Sequence, residues 1–593
     1  MNNKPSQGTM QSQIGWWCVW ALVFATVLVA LRQPPEVMTD AGHCMLAAEQ
    51  HYQRENLEFH TLIQADPKDL QGPEVSIPIT WWPASYSFLP YLGRLSGLNW
   101  GRSLQLIFLI GWSLGVWGWT CFFRRLLSPA ILPWAVAAFL VFRYTHANAN
   151  VYDGGEFLFW SLFPWILLVN LHAMQTSALD GWRSATTVTL AAVVTVLLVL
   201  VKYSAGLSAL GIAVAWVVVA FRYQVPRNRL CFWVAGAVLG VLLVIPGGLL
   251  PSGNPSNVGE EERIQWTALC WAPGAWTFAI TDLESLVARL LISDRQTSLL
   301  PAIGRFGDGQ IAWLTPVTLG LLLGLWYRLR RERHKVESLR AWNPLLPFDQ
   351  RTLIRAVVVV HLITFSVVLS GLILAGSKIH MDARFLRPAA IAFLPWLLVG
   401  IVQAIRSSSF PTRLVGVATL GLFIVIPALY GAATATSKTV VRGSAAAART
   451  GPLGIRHDLL GKDGNAKRFY ENLKKLQKGP TTTYYLLEHA LALPLAEERI
   501  LIEHAHLRTR EHLASKQYKG IPEDGVILVV PGHFEDNGKL ATIQGSFIDI
   551  KEGHWETSSL KSQPNWLVSI SRPRFVHPRP SIAANQQNVF PGH

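Results

Sequence analysis

Charged residues make up only 15% of this 593-residue chain, and acids are the scarcer sign, with 37 Asp and Glu against 52 Lys and Arg. So little charge does not suit the surface of a soluble protein this large, and 51% hydrophobic residues with 24 Trp exceed what one soluble core needs. Cysteine is scarce as well. The five Cys form no C-x-x-C pair and no metal-ligand spacing, which argues against a zinc module or a disulfide scaffold. They read as packing residues, with a disulfide between Cys44 and Cys270 as a remote alternative. A net charge of +15 suggests nucleic acid in a soluble protein. Here the basic residues gather in short segments between apolar runs, the pattern that orients a chain in a bilayer, so nucleic acid is not expected as a partner.

Long apolar runs are what the chain has in abundance. Runs of about 17–22 residues, enough to cross a hydrocarbon core of roughly 30 Å as helices, recur from Ile14 to about Gly431. They cover 14–31, 103–123, 129–142, 156–174, 185–201, 204–221, 230–250, 311–327, 354–375, 388–405 and 413–431, about eleven spans. The first exceeds a usual signal-peptide core and lacks a small-residue cleavage site after it, so it reads as a retained span. The basic segments "RRLL", "RYQVPRNR", "RLRRERHKVESLR" and "RSSSFPTR" all fall on one side, the cytoplasmic side by the positive-inside rule. The opposite side receives 32–102, the loop "RYTHANANVYDGG", the long loop 251–310, "GSKIHMDARFLR" and everything after Gly431.

The expected fold is therefore an α-helical polytopic membrane domain, 1–431, followed by an extracytoplasmic α/β domain, 432–572, and a disordered Pro-rich tail, 573–593. In the C-terminal domain "AKRFYENLKKLQ" has helical spacing, whereas "TTTYYLLEH", "RILIEH", "GVILVVPG", "ATIQGSFIDI" and "WLVSIS" read as strands.

The outer side collects polar residues close to span ends. Glu36 and Asp40 stand four apart in "PPEVMTDAGHCMLAAEQ", the spacing that puts two carboxylates on one helix face. They suit a general base with its electrostatic neighbour, or metal ligands, but Thr39 or Asp40 as a plain N-cap explains the pattern more cheaply. His43 follows in the same helix. A polar loop then leads to "ITWWPASYSFLPYLGRLSGLNWGRS", read either as an aromatic belt or as an in-plane helix lining a lipid groove, with Arg94 and Arg102 near phosphate depth. The second outer loop supplies Asp153 and Glu156 at the mouth of a span, where a carboxylate also favours the helix dipole. "SKIHMDARFLRP" packs Lys378, His380, Arg384 and Arg387 into ten residues, a cluster that can hold a lipid phosphate, although Asp382 can pair with an Arg locally. Lys202, in "LVKYSAGL", is a further cation between apolar runs.

Taken in order, "TDAGHCMLAAEQ", "TWWPASYSFLPYLGRLSGLNWGRSLQLIF", "CFFRRLLSP", "VKYSAGLSAL" and "DARFLRPAAIAFLPWL" resemble the GT-C superfamily of integral-membrane glycosyltransferases, which includes protein mannosyltransferases and lipid A aminoarabinose transferases. The resemblance covers roughly 14–431 as a pattern of loops. It implies a hexosyl or pentosyl transferase that takes sugar from a polyprenyl-phosphate donor and gives it, with inversion, to an extracytoplasmic lipid, glycan or protein acceptor, in a bacterial inner or plasma membrane. Carried over, Asp40 takes the first acidic role and Asp153 or Glu156 the second, while Arg384 with Lys378 or Arg387 meets the donor phosphate. The chain departs from the commoner adjacent acidic pair, since Ala41 follows Asp40, so a divalent cation stays an open question. The rival readings are a lipid-linked glycan flippase, which calls for charge at mid-span where these runs are largely free of acids, and a non-catalytic envelope scaffold.

Overall fold

The computed structural model describes residues 7–37, 39–54, 59–79, 83, 85–142, 145, 151–152, 155–175, 181–223, 226–244, 309–331, 342–343, 345, 348–375, 386–436, 450–457, 465–503, 513–550, 554–560 and 563–571. The chain divides into two compact units: Met1–Cys44 with Ile79–Ala447 and Gly454–Arg456, and Met45–Pro78 with Ala448–Leu453 and His457–His593.

In the first unit, α1 (Gln7–Arg32) leads through a two-residue strand, β1 (Glu36–Val37), into α2 (Thr39–Arg54), which continues into the second unit. A hairpin, β2 (Thr61–Asp66) and β3 (Asp69–Pro78), follows there, and the chain returns as α3 (Ser85–Leu95), α4 (Trp100–Leu126), α5 (Leu132–Val141) and β4 (Val151–Tyr152). The helices α6 (Gly155–Gln175), α7 (Trp182–Leu197), α8 (Ala205–Arg222), α9 (Arg227–Val244), α10 (Gly309–Arg331), α11 (Phe348–Leu374) and α12 (Arg387–Ile405) come next. Last are α13 (Phe410–Leu420) and α14 (Ile426–Thr436), joined by a π-helical turn, Gly421–Val425.

Nine helices among the described residues are long and apolar enough to cross a membrane. Each of the expected runs falls on a helix over its described residues, but the expected count of about eleven is not reached among them: run 129–142 becomes the ten-residue α5, about 15 Å long and too short to span alone, and α10, over run 311–327, is not among the nine. Outward-facing Trp17, Trp20 and Phe24 on α1 present the apolar surface that a lipid chain would meet.

Hydrogen bonds sort the turns onto two faces. Ser12 Oγ donates to the Pro129 carbonyl (3.0 Å), Asn343 N to that of Leu126 (2.9 Å), and Leu127 bridges Trp342, so the start of α1, the α4–α5 turn and the turn before α11 share one face. At the other end, Gln105 Nε2 reaches the carbonyls of Ala30, Leu31 and Gln33 at the close of α1. Arg124 and Arg125 lie in the last turn of α4, at the first face, and Arg222, Arg328, Arg330 and Arg331 lie in the last turns of α8 and α10.

Close packing fixes α6 against α4. Gly111, Gly115 and Gly118 form a stripe on α4, and an added Cβ would meet Phe157 at 2.7 Å from Gly111 and Pro164 at 2.8 Å from Gly118, with the Trp160 ring blocking Gly115. Small residues on one helix thus receive an aromatic ridge on the other, as membrane helix pairs require. Deeper in the bundle, Asn170 of α6 donates to Thr195 Oγ1 (2.8 Å) and accepts from Trp216 Nε1 (2.8 Å) and Trp233 Nε1 (3.2 Å), tying α6, α7, α8 and α9 through one satisfied amide.

The second unit is built on a five-stranded mixed sheet. After α15 (Ala466–Leu476) come β5 (Thr483–Leu486), the short α16 (His489–Ala492), β6 (Arg499–Ile502), β7 (Val526–Pro531), α17 (His533–Asp536), α18 (Lys539–Ser546), β8 (Trp555–Leu560) and β9 (Gln563–Ser571). The strand order is β6-β5-β7-β9-β8, with β6, β5 and β7 parallel and the last two antiparallel. The segment "ATIQGSFIDI", expected as a strand, is instead largely α18. Gly538 in the left-handed region and Asn537 Oδ1, which accepts from Lys539 N (3.1 Å), start that helix, and Leu540 and Ile543 bury one face at helical spacing. The polar loop expected after α2 is the β2–β3 hairpin, and contacts assign it to this unit. Leu70 N donates to Lys519 O (2.7 Å), Arg499 grips the carbonyls of Leu70 and Gly72, and Ala65 and Leu70 join the sheet's apolar core with Tyr485, Leu501 and Leu528. Gln50 of α2 bonds both N and O of Ile63 at 2.8 Å, which fixes the C-terminal half of α2 to β2.

Candidate functional site

Two short strands organise the face of the first unit where α1 ends and α4 begins. β1 and β4 pair in parallel, with Glu36 opposite Val151 and Val37 opposite Tyr152. Parallel neighbours lie about 4.8 Å apart and run the same way. The chain therefore leaves both strands side by side, on one side into the first turn of α2 and on the other into α6. Asp40 is the second residue of α2 and Glu156 the second of α6, so the two acidic loops singled out by sequence are neighbours in the fold. Only the backbone path is described at Asp40, and Asp153 lies outside the described residues.

The Glu156 carboxylate pairs with Lys202, in the turn between α7 and α8. Both side chains are largely buried. Gly155 permits the approach: a Cβ there would meet Tyr86 of α3 at 2.7 Å and Lys202 Cβ at 2.9 Å. Next to Lys202, burial and the nearby Cys44 of α2 push the Tyr203 phenol above its ordinary pKa. The first half of α2, the buried side of α3, the start of α6 and the 201–203 turn thus converge.

Glu36 is not left to solvent. Its carboxylate pairs with the buried guanidinium of Arg456, and Arg456 N donates to Pro35 O (2.8 Å). His43 is half-buried in α2. Arg94 lies in the last turn of α3, which buries Tyr86, Ser87 and Tyr91 and turns Phe88, Leu89, Leu92 and Leu95 outward. An eleven-residue helix with an exposed apolar face fits the expected in-plane segment. Of the late cation cluster, Arg387 is the first residue of α12, which packs on α6; Lys378, His380 and Arg384 lie outside the described residues. Among the described residues, no three His, Cys, Asp or Glu side chains gather as a metal-holding group.

The structure thus brings together Glu36, the backbone at Asp40, and Glu156. It adds Arg456, for which the sequence carries no signal, since its partner stands 420 residues away.

No protein-family model matches the chain, and neither does the sequence of a characterised protein. Among solved structures the chain is similar to ArnT from Cupriavidus metallidurans. The structure bound to undecaprenyl phosphate has 13% identity and a TM-score of 0.47 over 95% of this chain and 98% of that one. The apo state has 11% identity and a TM-score of 0.48 over 94% and 97%. It is also similar to the archaeal oligosaccharyltransferase AglB from Archaeoglobus fulgidus, solved with an inhibitory peptide and a dolichol-phosphate, at 11% identity and a TM-score of 0.41 over 91% of this chain and 72% of that one.

Proposed function

We propose that this protein is a membrane glycosyltransferase that moves a hexose or pentose from a polyprenyl-phosphate donor to a lipid, glycan or protein acceptor on the outer side of a bacterial inner membrane. The observation that carries the reading is the parallel β1–β4 pairing, which makes neighbours of the two acidic loops at the ends of membrane helices. Asp40 removes a proton from the acceptor hydroxyl. The acceptor oxygen attacks the anomeric carbon, its bond to the phosphate oxygen breaks, and polyprenyl phosphate leaves with inversion. Asp153 stands as the second acid, and Glu156 holds Lys202 at the site. Lys378, Arg384 and Arg387 meet the leaving phosphate by charge-assisted bonds, while His43, His380 and Arg94 border the substrates. α3 lies in the membrane plane where a lipid-linked donor arrives sideways.

The test is transfer in proteoliposomes from a panel of synthetic undecaprenyl-phosphate sugars. Asp40→Asn is expected to lower kcat by about 100-fold or more with little change in donor KM, the loss typical of a missing general base. Full activity in that variant removes Asp40 from the role. Donor that crosses the bilayer without being consumed points to a flippase instead.

A further inference from the structure

A two-residue ladder does not hold itself together in water or at a membrane surface. β1 offers only Glu36 and Val37 to β4, yet on that register depends the adjacency of the α2 and α6 starts. A third segment supports it. Residues 454–456, part of the first unit, lie along β1 in parallel, with Glu36 bridging Arg456 on one side and Val151 on the other. The strap is seated at its other end on the N-terminus of α4. Gly454 takes φ +76°, its carbonyl occupies the space a Cβ on Gly101 would need, and its own Cβ would lie 3.0 Å from Asn99 Oδ1, the cap that accepts from Arg102 N at 2.8 Å. Any other residue at Gly101 displaces the strap.

The Arg456 side chain is 5% exposed and its guanidinium pairs with the Glu36 carboxylate, while its backbone N–H donates to Pro35. Main chain and side chain of one residue thus grip both the strand and its first side chain.

We propose that Arg456 is a positioning residue for the candidate acid site. It holds β1 in register with β4, and through β1 it sets where the first turn of α2, bearing Asp40, starts relative to α6. The catalytic part of this inference rests on the proposed function; the clamp itself does not.

The experiment compares hydrogen exchange in the full-length protein in nanodiscs for wild type, Arg456→Gln, Glu36→Gln and the charge swap Glu36→Arg/Arg456→Glu. Peptides covering 34–42 and 149–157 are expected to exchange at least tenfold faster in both single variants and to recover in the swap, with peptides carrying Asn170 and Trp216 unchanged. With a synthetic undecaprenyl-phosphate sugar, Arg456→Gln is expected to lower kcat at least tenfold at nearly constant donor KM. Unchanged exchange at 34–42 in Arg456→Gln overturns the clamp. Equal loosening of the Asn170 region overturns it too, because a merely structural residue would act on the whole bundle. Faster exchange at both strands with no transfer by wild type overturns the catalytic reading and leaves the clamp standing.

Discussion

Lys202 and Glu156 have side chains 6% and 11% exposed, so their pairing offsets the cost of holding two charges away from water. Glu156→Gln removes the ammonium's counter-charge and is expected to cost about 3–5 kcal/mol, read as a lower unfolding temperature by Trp fluorescence. Glu156→Leu combined with Lys202→Met is expected to recover most of that loss, since two apolar side chains of similar volume need no pairing. Both residues are visible in the sequence as charges between apolar runs, and each has a bland explanation alone. Their pairing is not visible there, because it depends on the turn after α7 folding back onto the start of α6. Sequence spacing makes Glu36 a partner of Asp40, whereas the structure pairs it with Arg456.

At the scale of elements, the α4–α6 contact offers a clean comparison. Gly115→Val places a branched side chain against the Trp160 ring and the α6 backbone and is expected to destabilise by about 1–3 kcal/mol through overpacking. Gly320→Ala on α10, where no atom beyond the local helix backbone lies within 4 Å of the new carbon, is expected to keep or slightly raise the unfolding temperature. In the second unit, Asp524 ties the start of β7 to the start of β5. The Thr481 hydroxyl donates to its carboxylate at 2.6 Å and the Thr481 N–H at 2.9 Å, and these bonds hold its pKa below the usual carboxylate value. The contribution of this link is present above the unfolded value of about 3.9 and is lost as pH falls through the lower folded value. Protection of the amides at 481–483, taken relative to their intrinsic exchange at each pH, is therefore expected to fall in acid below that value, and Asp524→Asn to abolish this change in protection. The helix α18, which the sequence presents as a strand, belongs to the same scale: its apolar residues suit either period over so short a run, and Gly538, Asn537 and the apolar cluster below it decide for the helix.

For the whole molecule the expectation is sidedness. In a background with the native cysteines replaced, the exposed Ser96, after α3, and Ser408, between α12 and α13, are on opposite faces of the first unit. A membrane-impermeant maleimide on right-side-out vesicles is expected to label Ser96→Cys and not Ser408→Cys, as the positive-inside rule demands. Labelling of both, or the reverse, removes the outer placement of the acid site.

The bilayer character of the chain, the position of its apolar helices and the gathering of basic residues in alternate loops are legible along the chain alone. These follow from sums over neighbouring residues, hydropathy along a run and charge at its ends, and so need no knowledge of the fold. The β1–β4 pairing, the reach of Arg456 to Glu36 and the assignment of residues 45–78 to the unit of the C-terminal sheet appear only in the folded chain. Those choices join segments far apart in the chain, where loop-closure entropy hardly distinguishes one partner from another and the fit of two surfaces selects between them.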